Sequence, residues 1–183
     1  MEEYVENLKD SAGKLRSARN LAICGVMGAL AVALSFVAQI EAGPYIKIGF
    51  AGIPNRIVDY IFGPVTGALF GGVMDIVKFI VKPSGTFFPG FTFDAMLAGF
   101  VYGSFYYKKE LTIWRVLAAK GVVTVVVNLF FNTLWISILY GKAFFVLLGG
   151  RVIKNLVMWP IESVLFFFLM TAIEKTGVLK KNK

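Results

Sequence analysis

Ionisable side chains that interrupt long apolar stretches are the residues of this sequence best placed to do chemistry. Nine of them lie within or near such stretches: Arg56, Asp59, Asp75, Lys78, Asp94, Lys120, Arg151, Lys154 and Glu162. A charge in hydrocarbon is costly unless it is paired, faces a polar interior or lies near an interface. Two acid–base pairs, Arg56 with Asp59 and Asp75 with Lys78, are three residues apart and can neutralise themselves on one helical face.

Aromatic and amide side chains supply the means to hold a flat polar molecule. Asn128 and Asn132 are four residues apart and share one face of a predicted helix. Aromatic rings that can stack on a heterocycle occur in or beside the predicted loops: Tyr45, Phe87, Phe88, Phe91, Trp135, Tyr140 and Trp159. Each ring taken singly is as well explained by contact with lipid or an interfacial belt.

The usual parts of an enzyme are missing from the sequence. It contains no histidine and a single cysteine, Cys24, which excludes His-based general bases, the common zinc sites and an internal disulfide. It also lacks a phosphate-binding loop, because the residues around Gly141-Lys142 do not fit that pattern. We therefore expect no enzymatic activity and no cofactor, and any ATP-driven step requires another chain.

Composition places these residues in a membrane protein. The 183 residues are 57% hydrophobic and 16% charged, with a mean hydropathy of +0.73. Apolar runs interrupted by Gly-Pro, Pro-Gly and basic turns predict an all-α fold with six transmembrane helices. The predicted spans are Leu21 to Ala38, Lys47 to Phe62, Val65 to Val81, Phe91 to Tyr107, Ile113 to Tyr140 and Phe144 to Ile173.

The distribution of Lys and Arg predicts the orientation. Eleven basic residues precede the first span, flank the loop between the fourth and fifth, or follow the sixth, and only Lys47, Lys82 and Lys142 lie on the opposite side. The positive-inside rule then places both termini in the cytoplasm. We expect a cytoplasmic segment at 1–20, a membrane domain at 21–174 and a basic cytoplasmic tail at 175–183. The net charge of +8 thus reports orientation, and no nucleic-acid partner is expected.

This orientation groups Lys78, Asp94, Arg151 and Lys154 in the outer half of the bundle, which favours a pocket for an external ligand over structural pairing. The first span carries a separate pattern, since Gly25, Ala29 and Ala33 recur every four residues. Such small residues let a second helix approach closely, either within the chain or from another subunit.

Five segments form a recognisable pattern: Gly49-Phe50-x-x-Ile53-Pro54, Phe62-Gly63-Pro64-x-x-Gly67, the run from Pro83 to Thr92, Asn132-Thr133-Leu134-Trp135 and Arg151-x-x-Lys154. In their order and spacing they resemble the substrate-binding S components of energy-coupling factor (ECF) vitamin transporters, and most closely the folate-specific branch. The resemblance covers the chain from about Leu21 to Glu174. The run from Pro83 to Thr92 and the Asn132 segment are the most specific parts.

The resemblance implies a bacterial plasma-membrane protein that captures folate from outside and delivers it as part of an ATP-driven transporter. Its partners would be a membrane-embedded coupling subunit and two cytoplasmic ATPases. In that family, small residues on the first helix dock onto the coupling subunit, which Gly25, Ala29 and Ala33 match. Loops corresponding to about 39–47 and 82–90 act as a gate.

The chemistry of folate suggests which residues bind it. Its flat pterin offers an amide and amino edge to carboxylates or amides, and its dianionic tail needs basic side chains. We expect the substrate-binding residues to come from Tyr45, Asp75, Lys82, Phe87, Phe88, Phe91, Asp94, Asn128, Asn132, Lys142, Arg151 and Lys154. Two alternatives stay open: an S component for a thiamine precursor or pantothenate, and a standalone proton-coupled carrier that uses Asp75 or Glu162.

Overall fold

The computed structural model describes residues 2–37, 39–41, 47–49, 52–83, 85–141 and 143–175. The described chain is helical apart from one two-stranded ribbon. In chain order the elements are α1 (Glu2–Lys14), α2 (Ala18–Val37), β1 (Gln39–Glu41), β2 (Lys47–Gly49), α3 (Ile53–Val81), α4 (Pro89–Tyr106), α5 (Ile113–Val122), a π-helix (Val123–Phe131), α6 (Asn132–Tyr140) and α7 (Phe144–Lys175).

Helix α1 packs against the end of the bundle where α3 turns. Its Ser11 is fully buried, and the Ser11 hydroxyl donates to the carbonyl of Phe62 at 2.7 Å and accepts from the amides of Val65 and Thr66. The Thr66 hydroxyl in turn donates to the Ser11 carbonyl at 2.6 Å. These contacts show that the polar segment before the first span forms a helix docked on the bundle.

A second contact ties α1 to the end of α4. The Asp10 carboxylate lies 2.5 Å from the Lys108 ammonium and accepts a hydrogen bond of 2.9 Å from the Tyr107 hydroxyl. The Lys108 contact, reinforced by Tyr107 and Lys14, lowers the pKa of the Asp10 carboxyl group against the opposing effect of its partial burial.

The second predicted span begins later than expected. Instead of continuing a helix from Lys47, the chain forms an antiparallel ribbon in which Gln39 pairs with Gly49 and Glu41 with Lys47. Helix α3 starts only at Ile53, with Pro54 in its first turn, where the missing proline N–H leaves no hydrogen bond unmade. The prediction of a helix from Lys47 is therefore wrong.

The predicted reversal at Gly63-Pro64 is present inside α3. Gly63 has φ 84° and ψ −171°, a conformation that side-chain-bearing residues rarely adopt. Beyond it the chain folds back, because an Oδ1 of Asp59 lies against Gly67, whereas eight residues of continuous helix would separate them by roughly 12 Å. Two helical arms, one on each side of Gly63, therefore lie side by side.

Glycines allow α4 to pack closely on this hairpin. A Cβ on Gly99 would meet the backbone of Gly67, and a Cβ on Gly103 would meet the backbone of Pro64. Backbone atoms cannot move aside as a flexible side chain can. This close packing fixes α4, which carries Asp94, against the arm of α3 that carries Asp75.

The described part of the chain has four helices long and apolar enough to cross a membrane: Ala18–Val37, Ile53–Val81, Ile113–Tyr140 and Phe144–Lys175. Among these four, the two arms of α3 are counted as one helix, and the 18-residue α4 is not included. The helical fold and its membrane-spanning character are thus confirmed, while the count of six spans and the cytoplasmic termini stay predictions.

Candidate ligand-binding site

Asp94 lies at the centre of a polar cluster between α4, α6 and α7. It occupies the second turn of α4 and is 4% exposed. Its Oδ1 accepts a hydrogen bond of 3.1 Å from the indole Nε1 of Trp135, and the Asn132 side chain faces the same carboxyl group. Among the described residues, Asp94 Oδ2 has no hydrogen-bond partner. A buried oxygen of this kind can accept a donor from a bound molecule.

Aromatic rings form a wall beside this carboxylate. The ring centroids of Phe88 and Trp135 are 5.6 Å apart, those of Phe88 and Phe91 5.9 Å, and those of Phe131 and Trp135 6.0 Å in a stacked arrangement. Gly90 lies within this group, and a Cβ there would meet the rings of Phe88 and Trp135 within 2.6 to 2.8 Å. Gly90 thus permits close ring packing in the first helical turn of α4, whereas the sequence predicted only a break between helices at this Pro-Gly pair.

A basic side chain joins α7 to the facing helix. Arg151 Nη2 donates to Asn132 Oδ1 at 2.5 Å and to the main-chain carbonyl of Asn128 at 3.3 Å. The π-helix Val123–Phe131 explains why that carbonyl is available: the amide of Asn132 bonds to the carbonyl of Val127, five residues back, instead of to Asn128. Such stretches are frequent at functional sites because they redirect backbone groups.

The second predicted carboxylate lies on the neighbouring helix. Asp75 Oδ2 accepts a hydrogen bond of 2.8 Å from the Thr92 hydroxyl, which joins the arm of α3 after Gly63 to the start of α4. Lys154, one turn beyond Arg151 on α7, is half-buried and interacts electrostatically with Arg151 and with the deeper Glu162. Asp75 and Lys154 therefore flank the Asp94 cluster.

Two other predicted residues have different neighbours. Lys82 donates to the carbonyl of Ser35 at 2.8 Å and lies 5.5 Å from the Phe36 ring, so that it holds the end of α2. Phe87 is 43% exposed and packs on Phe79 at 5.2 Å between centroids. Neither contact joins the Asp94 cluster, and Tyr45 and Lys142 lie outside the described residues.

Two further residues, Thr92 and Trp135, contact the predicted site residues Asp75 and Asp94. Thr92 follows Phe91 in the specific run near the third loop, and Trp135 was expected only to stack. Trp135 also donates a hydrogen bond, and its spacing of three residues from Asn132 places both on one face of α6. That spacing could have indicated Trp135 from the sequence. No such pattern could have indicated Thr92, because its hydrogen bond to Asp75 joins different helices.

The arrangement is suited to binding rather than to metal chemistry. Within the described ranges no group of three or more His, Cys, Asp or Glu residues is placed to hold a metal ion. The cluster instead offers one carboxylate, side-chain amides, an arginine and stacked aromatic rings. These groups can orient a flat, hydrogen-bonding ligand and neutralise an anionic part of it.

Comparisons with known proteins agree with this chemistry. Residues 19–170 match the family model of the ECF transporter, substrate-specific component. The folate transporter FolT of Clostridium novyi is 37% identical over 138 residues, which cover 75% of this chain and 80% of that protein. FolT of Leuconostoc mesenteroides is 32% identical over 131 residues, 68% of this chain and 71% of that protein.

A solved structure of a folate transporter is also similar to this chain. The crystal structure of FolT bound with folic acid superposes with a TM-score of 0.77 at 37% identity and covers 84% of this chain and 93% of that one. Helix α1 precedes the residues matched by the family model.

Proposed function

This chain belongs to the family of substrate-specific components of ECF transporters, and on that premise we propose that it captures folate from outside the cell for ATP-driven uptake. Members of this family are components of transporters and not enzymes. Relatives named as folate transporters and a similar structure solved with folic acid support the choice of vitamin.

The observation that carries the proposal is the unpartnered Oδ2 of Asp94 beside Trp135. The pterin of folate is flat and presents a ring N–H and an amino group along one edge. A carboxylate can accept both, and aromatic rings such as Phe88 can cover the face of the heterocycle. The anionic tail is then met by Arg151 and Lys154 at the flank of the cluster.

We propose that this pocket lies on the outer side of the membrane. We take the segment that ends with the short first arm of α3, the second arm of α3 and α4 as three separate spans, which gives six spans with both termini in the cytoplasm. The basic residues before α2, around Lys108 and after α7 support this orientation. The protein is then a multi-pass protein of the bacterial plasma membrane, with cytoplasmic segments at 1–20 and 175–183.

The exposed face of α2 is the surface proposed for docking the membrane-embedded coupling subunit, which acts with two cytoplasmic ATPases. Gly25, Ala29 and Ala33 are exposed, whereas Gly28 and Ala31 are buried. A Cβ on Gly28 would lie 3.0 Å from the Met74 sulfur, so the buried face packs on α3. The small-residue stripe is therefore left available for another helix.

Calorimetric titration of the detergent-purified full-length chain tests the proposed ligand. We expect saturable one-to-one heat with folate and none with thiamine or pantothenate at the same concentrations. Heat from either control in place of folate would overturn the assignment of the vitamin. Silence from all three would contradict a high-affinity capture subunit.

A pull-down with the coupling subunit and ATPases tests the docking surface separately. Ala29→Leu is expected to abolish assembly and leave folate heat unchanged, because the added bulk keeps the facing helix away. Leu30→Phe adds similar bulk to the neighbouring exposed position and is the control for a general effect of size. Normal assembly of Ala29→Leu would contradict the proposed surface.

A further inference from the structure

The side-chain amide of Asn132 lies between the two charged groups of the Asp94 cluster. Its Oδ1 accepts a hydrogen bond from Arg151 Nη2, so its NH₂ group is the end that faces the Asp94 carboxyl group. A guanidinium only donates hydrogen bonds and a carboxylate only accepts them, whereas an amide does both, one at each end. The two charges on either side therefore fix the orientation of this amide.

Arg151 and Asp94 are near neighbours that do not form a direct pair. They interact electrostatically. The ion pairs closer than 4.0 Å that the structure describes nevertheless do not include Arg151 with Asp94. A direct bidentate pair would use the hydrogen-bonding capacity of both groups on each other. The intervening Asn132 amide contacts both groups and leaves each with capacity to spare.

The spare capacity is visible as two buried atoms without partners in the described part of the chain. One is the acceptor Oδ2 of Asp94, and the other is the donor Nε of Arg151. In the interior of a membrane bundle such atoms are costly, since bulk water cannot replace the missing partner. A ligand that brings both a hydrogen-bond donor and an anionic group satisfies both atoms.

The π-helix supplies the second oxygen that holds the Arg151 side chain. In an α-helix the amide of Asn132 would bond to the carbonyl of Asn128, but here it bonds to that of Val127. The freed Asn128 carbonyl accepts from Arg151 Nη2 and from the hydroxyl of the fully buried Thr133, each at 3.3 Å. Arg151 is thus held by two oxygens that lie four residues apart, one on each side of the boundary between the π-helix and α6.

We propose that Asn132 is a positioning residue, which keeps Asp94 and Arg151 apart and holds each ready for a different part of the ligand. The pterin of folate then meets the carboxylate, and its anionic tail meets the guanidinium. Asn132 acts through these two residues rather than by its own contact with folate. The inference rests on the proposed function and adds a basis for selectivity, because a ligand must bring both parts to satisfy the site.

Calorimetry with folate on two amide variants of the full-length protein tests this role. Asn132→Leu removes both amide contacts at similar size, so we expect it to weaken folate binding at least about tenfold, as for one hydrogen bond to a charged group. Asn155→Leu is the matched control, because Asn155 donates to the main-chain carbonyl of Arg151 at 2.9 Å, and its Kd should stay within about twofold of the parent. An unchanged Kd for Asn132→Leu would overturn the proposal.

Asn132→Asp separates positioning from general damage to the fold. The new side chain keeps an oxygen for Arg151 but faces Asp94 with an acceptor, and a proton shared between the two carboxylates restores the donor in acid. Asp75 on α3 and Arg151 on α7 are the other charged groups that face Asp94. We expect the ratio of the variant Kd to the parent Kd to fall about tenfold from about pH 8 to about pH 5.5, and the ratio for Asn132→Leu to stay constant. A constant ratio for Asn132→Asp would overturn the proposal.

A double-mutant cycle tests whether Asn132 acts through Asp94. Because both changes then disrupt one network, the double variant Asp94→Asn with Asn132→Leu should bind folate about tenfold more tightly than the product of the two single losses. Losses that simply multiply would show that Asn132 contacts folate independently and would overturn the inference. The parent protein keeps the two proposals apart: absence of folate heat from the parent contradicts both, whereas normal parental heat with an unchanged Asn132→Leu Kd contradicts only this one.

Discussion

Replacing Asp94 by Asn is expected to weaken folate binding about 10- to 150-fold. The carboxylate gives Oδ1 to Trp135 and leaves Oδ2 for the pterin edge. If the Asn oxygen keeps the Trp135 bond, its NH₂ group faces the pterin donors; if the amide flips, Trp135 loses its acceptor. Either orientation removes at least one hydrogen bond to a charged group, about 1.5–3 kcal/mol, which is the stated range in Kd.

Calorimetry on Asp94→Asn and a matched variant measures this loss. Asp59 is also a buried carboxylate, 1% exposed, with one oxygen bonded and the other unpartnered within the described chain, but it lies on the arm of α3 before Gly63. Asp59→Asn should keep the folate Kd within about twofold, as expected for a distant site. An unchanged Kd in a folded Asp94→Asn protein would refute the role given to this carboxylate.

Four further predictions concern the flank of the pocket, the helix packing and the N-terminal helix. Arg151→Gln should raise the folate Kd about tenfold in calorimetry through loss of a charged donor, and an unchanged Kd would contradict its place at the ligand. Gly103→Ala should lower the free energy of unfolding by about 1–3 kcal/mol in a thermal melt, because a Cβ there meets backbone atoms. Gly149→Ala is the control and should have little effect in the same melt, because the described structure has open space around Gly149. Ser11→Ala should speed amide exchange throughout α1. Because the pKa of Asp10 is lowered in the folded state, its contribution to docking is present above the ordinary carboxyl pKa and lost as pH falls through the lower value. The protection factors of α1, which correct for the steep pH dependence of intrinsic amide exchange, should therefore be smaller at about pH 3 than at about pH 7, and equal protection factors would contradict the contact.

Local chemistry made the helical framework predictable. Gly63-Pro64 interrupts an apolar run far too long for one span, and only a reversal with positive φ at Gly63 accommodates it. Arg56 and Asp59, three residues apart, form the expected ion pair within one arm of α3. Both outcomes follow from interactions between residues close in sequence.

Contacts between distant residues were not accessible in the same way. Trp135 and Asp94 are 41 residues apart, and Lys120 and Glu162 are 42 apart, so each pairing depends on how the helices pack. The sequence showed which ionisable side chains lie in apolar stretches and therefore need partners, but it did not show which residues those partners are.

The π-helix and the ribbon were missed for different physical reasons. The π-helix differs from an α-helix only in bonding five instead of four residues back, and Val123–Phe131 is mostly apolar apart from Thr124 and Asn128, so hydropathy does not register it. Strands of three residues are too short for an alternating pattern to stand out from an amphipathic helix start. Lys82 stays a predicted ligand-binding residue on the basis of its charge, and in the structure its long side chain donates to the carbonyl of Ser35.

A structure of the full-length chain with folate bound is the most direct test of the central claim. We expect the pterin edge within hydrogen-bond distance of Asp94, one face of the ring against Phe88 or Trp135, and the tail carboxylates near Arg151. Folate bound with Asp94 still unpartnered, or seated away from this cluster, would contradict the account of how this protein recognises its vitamin.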